Sequence, residues 1–251
     1  MAKTTLPISV IIPSLGNNLT FLKESIDSIL ISNFIPEKII VIDDSGLKKI
    51  EQFINDLYPK GIVIVHNNES NLGACLSRNV GINLCESKYI TFLDDDDEYV
   101  DDRLKILYDF SEENNSFSIV GSGNIILNHS TKNAVKENKF LGKSINKQEI
   151  LCGNYFGASA LIRTVYLKTK NFDKKLIASQ DHDLFTQVIL EFGNGYKMNN
   201  HLYISRQHND GERVSSNAAV GLIQYWLKYR HIMSLKTKLF NFIKIIFYII
   251  K

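Results

Sequence analysis

Apolar residues along the first half of the chain fall into two alternating patterns. Short β-branched runs, "ISVIIP" (8–13), "KIIVID" (38–43), "IVIVH" (62–66) and "YITFL" (89–93), read as strands. Between them, apolar residues recur at helical spacing: Leu22, Ile26, Ile29 and Leu30, then Leu47, Ile50, Phe53, Ile54 and Leu57. "NLGACLSRNVGINLC" reads as a loop and helix, and Val100, Leu104 and Leu107 open another helix. Near-continuous apolar strands separated by helices predict a mostly parallel sheet covered on both faces. The second half is more mixed. "FSIVGSGNIIL" (117–127), "ASALIRT" (158–164) and "LYISRQH" read as strands, and "DHDLFTQVILEF" as a helix. The polar stretch "NHSTKNAVKENKFLGKSINKQ" reads as a loop region. The fold class expected is α/β, with a C-terminal extension.

Charge divides the chain unevenly. Residues 213–251 hold seven Lys and Arg and no acid, leaving 22 basic against 27 acidic groups in the first 212. An acidic body with a basic tail predicts that the tail meets an anion, membrane lipid or nucleic acid. At 44% hydrophobic and 22% charged, the chain can bury a substantial core. Cys75, Cys85 and Cys152 are scattered without zinc spacing, as expected of core fillers in a reducing compartment. The apolar stretch near the N-terminus is too short for a signal peptide, and no run is long enough to cross a bilayer.

Acidic residues sit where two of the strands end. Asp43 and Asp44 close the second strand, and Asp94, Asp95, Asp96 and Asp97 the fourth. In open α/β sheets that edge holds the ligand. Clustered carboxylates repel unless a cation neutralises them, and oxygen donors suit Mg²⁺ or Mn²⁺ shared with substrate phosphates. Some acids have a simpler reading: Asp97 to Asp102 suit the start of the next helix, and Asp181 or Asp183 could cap the helix that follows. Tyr99 stands where an EF-hand loop needs glycine, which excludes that motif.

Taken in order, "SVIIPSLGN", "IIVIDDSG", "NLGACLSRNVGI", "YITFLDDDDEY" and "SQDHDLFTQVI" resemble the motifs of the family 2 glycosyltransferases over roughly residues 7 to 210. The resemblance implies a GT-A fold, a Rossmann-like sheet flanked by helices. It also implies inverting sugar transfer from a UDP-sugar, by a hexosyl- or N-acetylhexosaminyltransferase of the bacterial surface-polysaccharide type. Carried onto this chain, it places Pro13 and Ser14 beside the nucleotide, Asp43 or Asp44 on the uracil and Arg78 near the base or phosphates. Asp94 would lie near the ribose, with Asp95 a spacer grouped with the nucleotide-binding aspartates. Asp96 would bind the Mn²⁺ or Mg²⁺ that bridges the diphosphate, aided by His208. Asp181 would be the general base, with Gln180 standing where the family has Glu.

The organisation expected is a transferase domain over 1–212 and a basic amphipathic helical extension over 213–251. Residues 235–251, "LKTKLFNFIKIIFYIIK", are too few to span a bilayer with confidence; they suit an anionic membrane interface or, alternatively, packing on the domain or in a homodimer. Trp226 is read as packing or as an interface anchor. The acceptor expected is a glycan or lipid-linked glycan, the location cytoplasmic and peripheral on the inner face of the cell membrane, and no nucleic-acid partner is expected. The alternatives are a sugar-nucleotide nucleotidyltransferase and a catalytically silent glycan- or lipid-binding protein of the same fold.

Overall fold

The computed structural model describes residues 3–58, 61–100, 102–128, 130–137, 140–157, 160–207 and 217–250. Four strands from the first half form a wholly parallel block: β1 (Thr4–Ser14), β2 (Phe34–Asp43), β3 (Val63–Asn67) and β4 (Tyr89–Phe92), in the order β3-β2-β1-β4. Their apolar side chains are buried on both sides. Ile8, Val10 and Ile12 of β1 pack into one layer, and Ile11 packs into the other with Ile40, Ile42 and Phe92. The continuous apolar runs follow from this double burial.

Helix α1 (Leu19–Leu30) buries Leu22, Ile26 and Ile29, and Asn18 caps it by accepting from Phe21 N. Helix α2 (Glu51–Leu57) begins later than the apolar spacing predicts, because Leu47 lies exposed in the preceding turn. Helix α3 (Ala74–Leu84) lies close against β1. A Cβ on Gly81 would stand 2.6 Å from Ile11 Cγ2, so the approach requires glycine at that position.

The strands of the second half extend the same sheet. β6 (Ile119–Asn128), β9 (Leu161–Arg163) and β10 (Gly195–Gln207) follow β4 in the order β4-β9-β6-β10, with β9 antiparallel to both neighbours and β6 parallel to β10. The edge strand β5 (Glu98–Tyr99) pairs antiparallel with β10. β10 is longer than "LYISRQH" suggests. Its first part is polar, and its pairing with β6 shifts register around His201, which breaks the alternation that would reveal it.

Two sequence expectations are corrected here. The polar stretch after β6 contains β7 (Ala134–Lys136) and β8 (Lys143–Ile145) and enters α5 (Lys147–Ile150), which a complete Asn146–Glu149 capping box starts. Short edge pairings of this kind bury little, so no hydrophobic period marks them. Residues 97–100 do not begin a helix: Glu98 and Tyr99 form β5, and α4 (Arg103–Glu113) follows with Asp102 at its cap position. Asp102 caps α4 with its carbonyl, which accepts from Ile106 N at 3.0 Å, while its side chain accepts from Ser32 Oγ at 2.7 Å rather than from the helix, and Asp101 lies outside the described residues.

After α6 (Thr164–Leu167), helix α7 (Gln180–Phe192) crosses the sheet, followed by α8 (Ala218–Tyr229) and α9 (Leu235–Ile250). α8 packs on α7: His182 stacks on Tyr225 at 4.0 Å, and Gly221 fits against Ala178 where a Cβ would stand 2.6 Å away. Trp226 packs partly buried in this group, with Arg230 over its ring. α9 is turned in the unusual sense. Its buried side chains include Thr237 and Asn241, with Asn241 Nδ2 donating to Leu151 O at 2.9 Å, while Leu239, Phe240, Phe242, Ile243, Ile246 and Phe247 face outward. Among the described residues, no helix is long and apolar enough to cross a membrane.

Candidate active site

A pocket of about 610 Å³ opens over the carboxyl ends of β1 and β4, between the N-terminal ends of α3 and α7. This is the edge where an open α/β sheet receives its ligand. Pro13, Arg78, Asp94, Asp95, Asp96 and Asp181 all line it. Ser14, Asp43 and Asp44 do not, and His208 lies outside the described residues.

Asp43 and Asp44 are buried, and their oxygens are engaged within the protein. Asp43 accepts from Ser45 N at 2.9 Å and Ile50 N at 3.0 Å, fixing the turn after β2. Asp44 accepts from Asn68 Nδ2 (2.8 Å), Leu72 N (2.9 Å) and Gly73 N (2.8 Å). It therefore anchors the 72–73 segment, which forms part of the pocket wall. Gly73 leads into α3 with φ +83°, a left-handed conformation that favours glycine.

The four consecutive aspartates have four different surroundings. Asp94 Oδ1 accepts from Arg78 Nη2 at 2.5 Å. Asp95 accepts from Ser14 Oγ, also at 2.5 Å, and its carboxyl is pushed up to about 6 by burial, with the charges of Asp96 and Asp94 adding to the shift. Asp96 also lines the pocket. Asp97 turns away and is buried: it accepts from Tyr203 Oη at 2.7 Å and Arg206 N at 2.8 Å. Burial first, and the charge of Asp94 second, push its carboxyl up to about 8. Asp97 thus ties the aspartate loop to β10. An aspartate that serves as a buried acceptor is indistinguishable in sequence from one that serves a ligand.

Asp181 sits in the first turn of α7 rather than at its cap. Ser179 occupies the cap position with φ +63°, and its carbonyl accepts from Asp183 N at 2.9 Å. Asp181 is half-buried at the pocket wall, and burial pushes its carboxyl up while Arg78 opposes the shift. Asp183 is not a cap either. It is fully buried on the far side of α7, where it accepts from Tyr229 Oη, Lys228 Nζ and Gln187 Nε2.

Several wall residues carry no sequence signal of a site. Cys75 lines the pocket, and burial pushes its thiol up to about 11, so it is a neutral wall. Lys174, Leu176 and Ile177 come from a loop that α8 holds: Ile177 N donates to Gln224 Oε1 and Gln224 Nε2 donates to Lys175 O. Gln180 Nε2 donates to Leu176 O at 2.9 Å, a bond that the carboxylate of a Glu could not make.

No group of three or more His, Cys, Asp and Glu side chains suitable for holding a metal exists among the described residues. The pocket instead presents the carboxylate oxygens of Asp94, Asp95 and Asp96 on one wall, with the Asp95 carboxyl raised first by burial and then by its two neighbours. That suits a hard cation whose remaining ligands are water and substrate oxygens.

Comparison with known proteins agrees with this architecture. The chain is 31% identical over 194 residues to an uncharacterized glycosyltransferase of Methanocaldococcus jannaschii, covering 76% of this chain and 66% of that protein. It is 25% identical to a putative colanic acid biosynthesis glycosyl transferase, WcaA, of Escherichia coli K12, covering 76% of this chain and 69% of the relative. The crystal structure of S. aureus TarS 1-349 in complex with UDP-GlcNAc superposes with a TM-score of 0.70 at 18% identity, over 88% of this chain and 65% of TarS, which shows the fold. The chain therefore spans about two thirds of the length of these relatives. The model of glycosyl transferase family 2 matches residues 9–169, and the chain belongs to that family.

Proposed function

We propose that the protein is an inverting glycosyltransferase that moves a sugar from a UDP-sugar to a hydroxyl of a glycan or lipid-linked acceptor in polysaccharide assembly. The observation that carries this is the convergence of Asp94, Asp95, Asp96, Arg78 and Asp181 on one pocket. The carboxylates of the aspartate loop lie on one side and a single separate carboxylate, Asp181, on another. One base on the acceptor side suffices for inversion. Asp181 takes the acceptor proton as the hydroxyl attacks the anomeric carbon, and UDP departs from the opposite face. No second nucleophile is needed.

In this reading Pro13 borders the nucleotide, and Asp94 and Asp95 face the ribose and diphosphate. Asp43, Asp44 and Ser14 support the site from beneath, and the uracil meets the segment that Asp44 anchors. Asp96 would hold Mn²⁺ or Mg²⁺, with His208 as a further ligand, and the ion would supply positive charge against the departing diphosphate. Two names support the donor class and the pathway: S. aureus TarS was crystallised with UDP-GlcNAc, and the Escherichia coli relative is named for colanic acid biosynthesis. A screen of sugar nucleotides for UDP release with Mn²⁺ or Mg²⁺ tests the reading. Turnover of at least one UDP-sugar is expected, and pyrophosphate release from a nucleoside triphosphate would favour the nucleotidyltransferase alternative instead.

The same reading places residues 235–251 on an anionic membrane surface. The outward face of α9 is apolar, and residues 217–250 carry Lys228, Arg230, Lys236, Lys238 and Lys244 without any acid. Deletion of 235–251 is expected to move the protein from the membrane to the supernatant fraction, and an unchanged distribution would remove the membrane from the proposal.

A further inference from the structure

Arg78 is the one buried cation among the described residues that contacts both Asp94 and Asp181. It projects from α3 and is only 7% exposed. Its Nη2 donates to Asp94 Oδ1 at 2.5 Å, and its Nη1 lies 3.9 Å from Asp181 Oδ1. Its guanidinium carbon stands 5.6 Å from the Phe172 ring centre, and Asn79 clamps the Phe172 backbone through both its N–H and C=O. The guanidinium is therefore held in place from below, and among the described residues its Nε is buried without a hydrogen-bond partner.

The pairing is lopsided, tight to Asp94 and loose to Asp181. A guanidinium offers five N–H donors in a rigid fork, so it can serve two carboxylates in sequence without leaving its seat. We propose that Arg78 is the positioning residue of the general base: it keeps the Asp181 carboxylate charged and aimed into the pocket, and it closes on Asp181 when a bound donor draws Asp94 away. This rests on the transferase reading above. It makes donor occupancy strengthen the hold on the base, so that the site completes itself with the donor present.

The charges around Asp181 support this division. From α3 it faces Arg78 and the neutral Cys75 thiol, and from the aspartate loop Asp94. Asp173 and Lys174 line the same pocket, and Asp183 points away to Lys228 and Tyr229. Burial and Asp94 both favour the protonated form of Asp181, and Arg78 opposes them. Arg78 stays charged: burial works against its proton, but Asp94 and Asp181 outweigh it.

The test uses the full chain with aspartate carboxyl carbons labelled, the Asp181 signal assigned by its loss in Asp181→Asn. Carboxyl titrations by NMR are compared in wild type, Arg78→Gln, Arg78→Lys and Asp94→Asn, with and without UDP. Arg78→Gln is expected to move the Asp181 midpoint to higher pH, Arg78→Lys to restore most of it, and Asp94→Asn to move it to lower pH. UDP is expected to lower it in wild type and not in Arg78→Gln. In turnover, the Arg78→Gln rate at pH 6 relative to pH 8.5 should fall about tenfold further than wild type. If Arg78→Gln leaves the Asp181 midpoint and pH profile unchanged and only raises the donor KM, Arg78 is a nucleotide ligand alone and the proposal is overturned. Should Arg78→Gln not fold, an Asp94→Asn midpoint unmoved or raised overturns it equally. The titration needs no turnover, so failure of the transferase reading would appear separately, as the absence of UDP release from any donor.

Discussion

Asp181→Asn is expected to reduce sugar transfer by about 10²- to 10⁴-fold while weakening UDP affinity only by the modest coupling through Arg78. The substitution keeps the size and planarity of the side chain but leaves it unable to accept the acceptor's proton. Asp94 remains the tight partner of Arg78 at 2.5 Å, so the donor wall loses little when the looser 3.9 Å contact disappears. The sign of the accompanying pH effect follows from the same geometry. A base acts when deprotonated, so wild-type turnover should rise with pH through the Asp181 titration. Burial pushes that carboxyl up, which places the rising limb above the ordinary range for aspartate. In Asp181→Asn the residual rate should lose this limb. Near-normal turnover, or a rising limb that survives the substitution, would remove Asp181 as the base.

What the sequence revealed and what it hid have physical causes. Where burial is two-sided, as in β1 and β2, the strand is a plain apolar run, and the acids at its end mark the ligand edge directly. Where a strand sits at an edge or changes register, the period disappears: β5, β7, β8 and the first part of β10 are examples. The site shows the same divide. Asp94, Asp96, Arg78 and Asp181 were legible and do converge on one pocket. The different assignments within "DDDD" were not, because Asp97 owes its burial to Tyr203 and Arg206, more than a hundred residues away. Asp43 and Asp44 were legible as a strand-end pair but not as scaffolding, since their partners are mostly backbone N–H groups that carry no side-chain signal, joined at Asp44 by the distant Asn68 side chain. Cys75 and the loop of Lys174 to Ile177 reach the pocket only through tertiary packing, the latter through Gln224 of α8.

Asp96→Ala is expected to abolish the strengthening of UDP binding by Mn²⁺, a loss of about tenfold or more, equivalent to ~1.4 kcal/mol for each factor of ten. The argument turns on charge. The aspartate wall sets Asp94, Asp95 and Asp96 side by side, their charges adding to the burial that raises Asp95, and a diphosphate adds further negative charge to it. Without a cation, wild type should therefore bind UDP weakly, and removing one carboxylate should not weaken that binding further; it should leave it equal or slightly tighter. With Mn²⁺, wild type should gain affinity and Asp96→Ala should not. This crossed pattern separates a metal ligand from a residue that merely shapes the pocket, which would weaken UDP binding by the same factor with and without the ion. It also tests the wall as a whole: Asp95 is held by Ser14, and Asp94, once the donor draws it from Arg78, is engaged by the donor itself, so neither is free to replace the lost oxygen. Equal Mn²⁺ enhancement in the two proteins, measured by calorimetry or by fluorescence of a labelled nucleotide, would place the ion elsewhere or dispense with it.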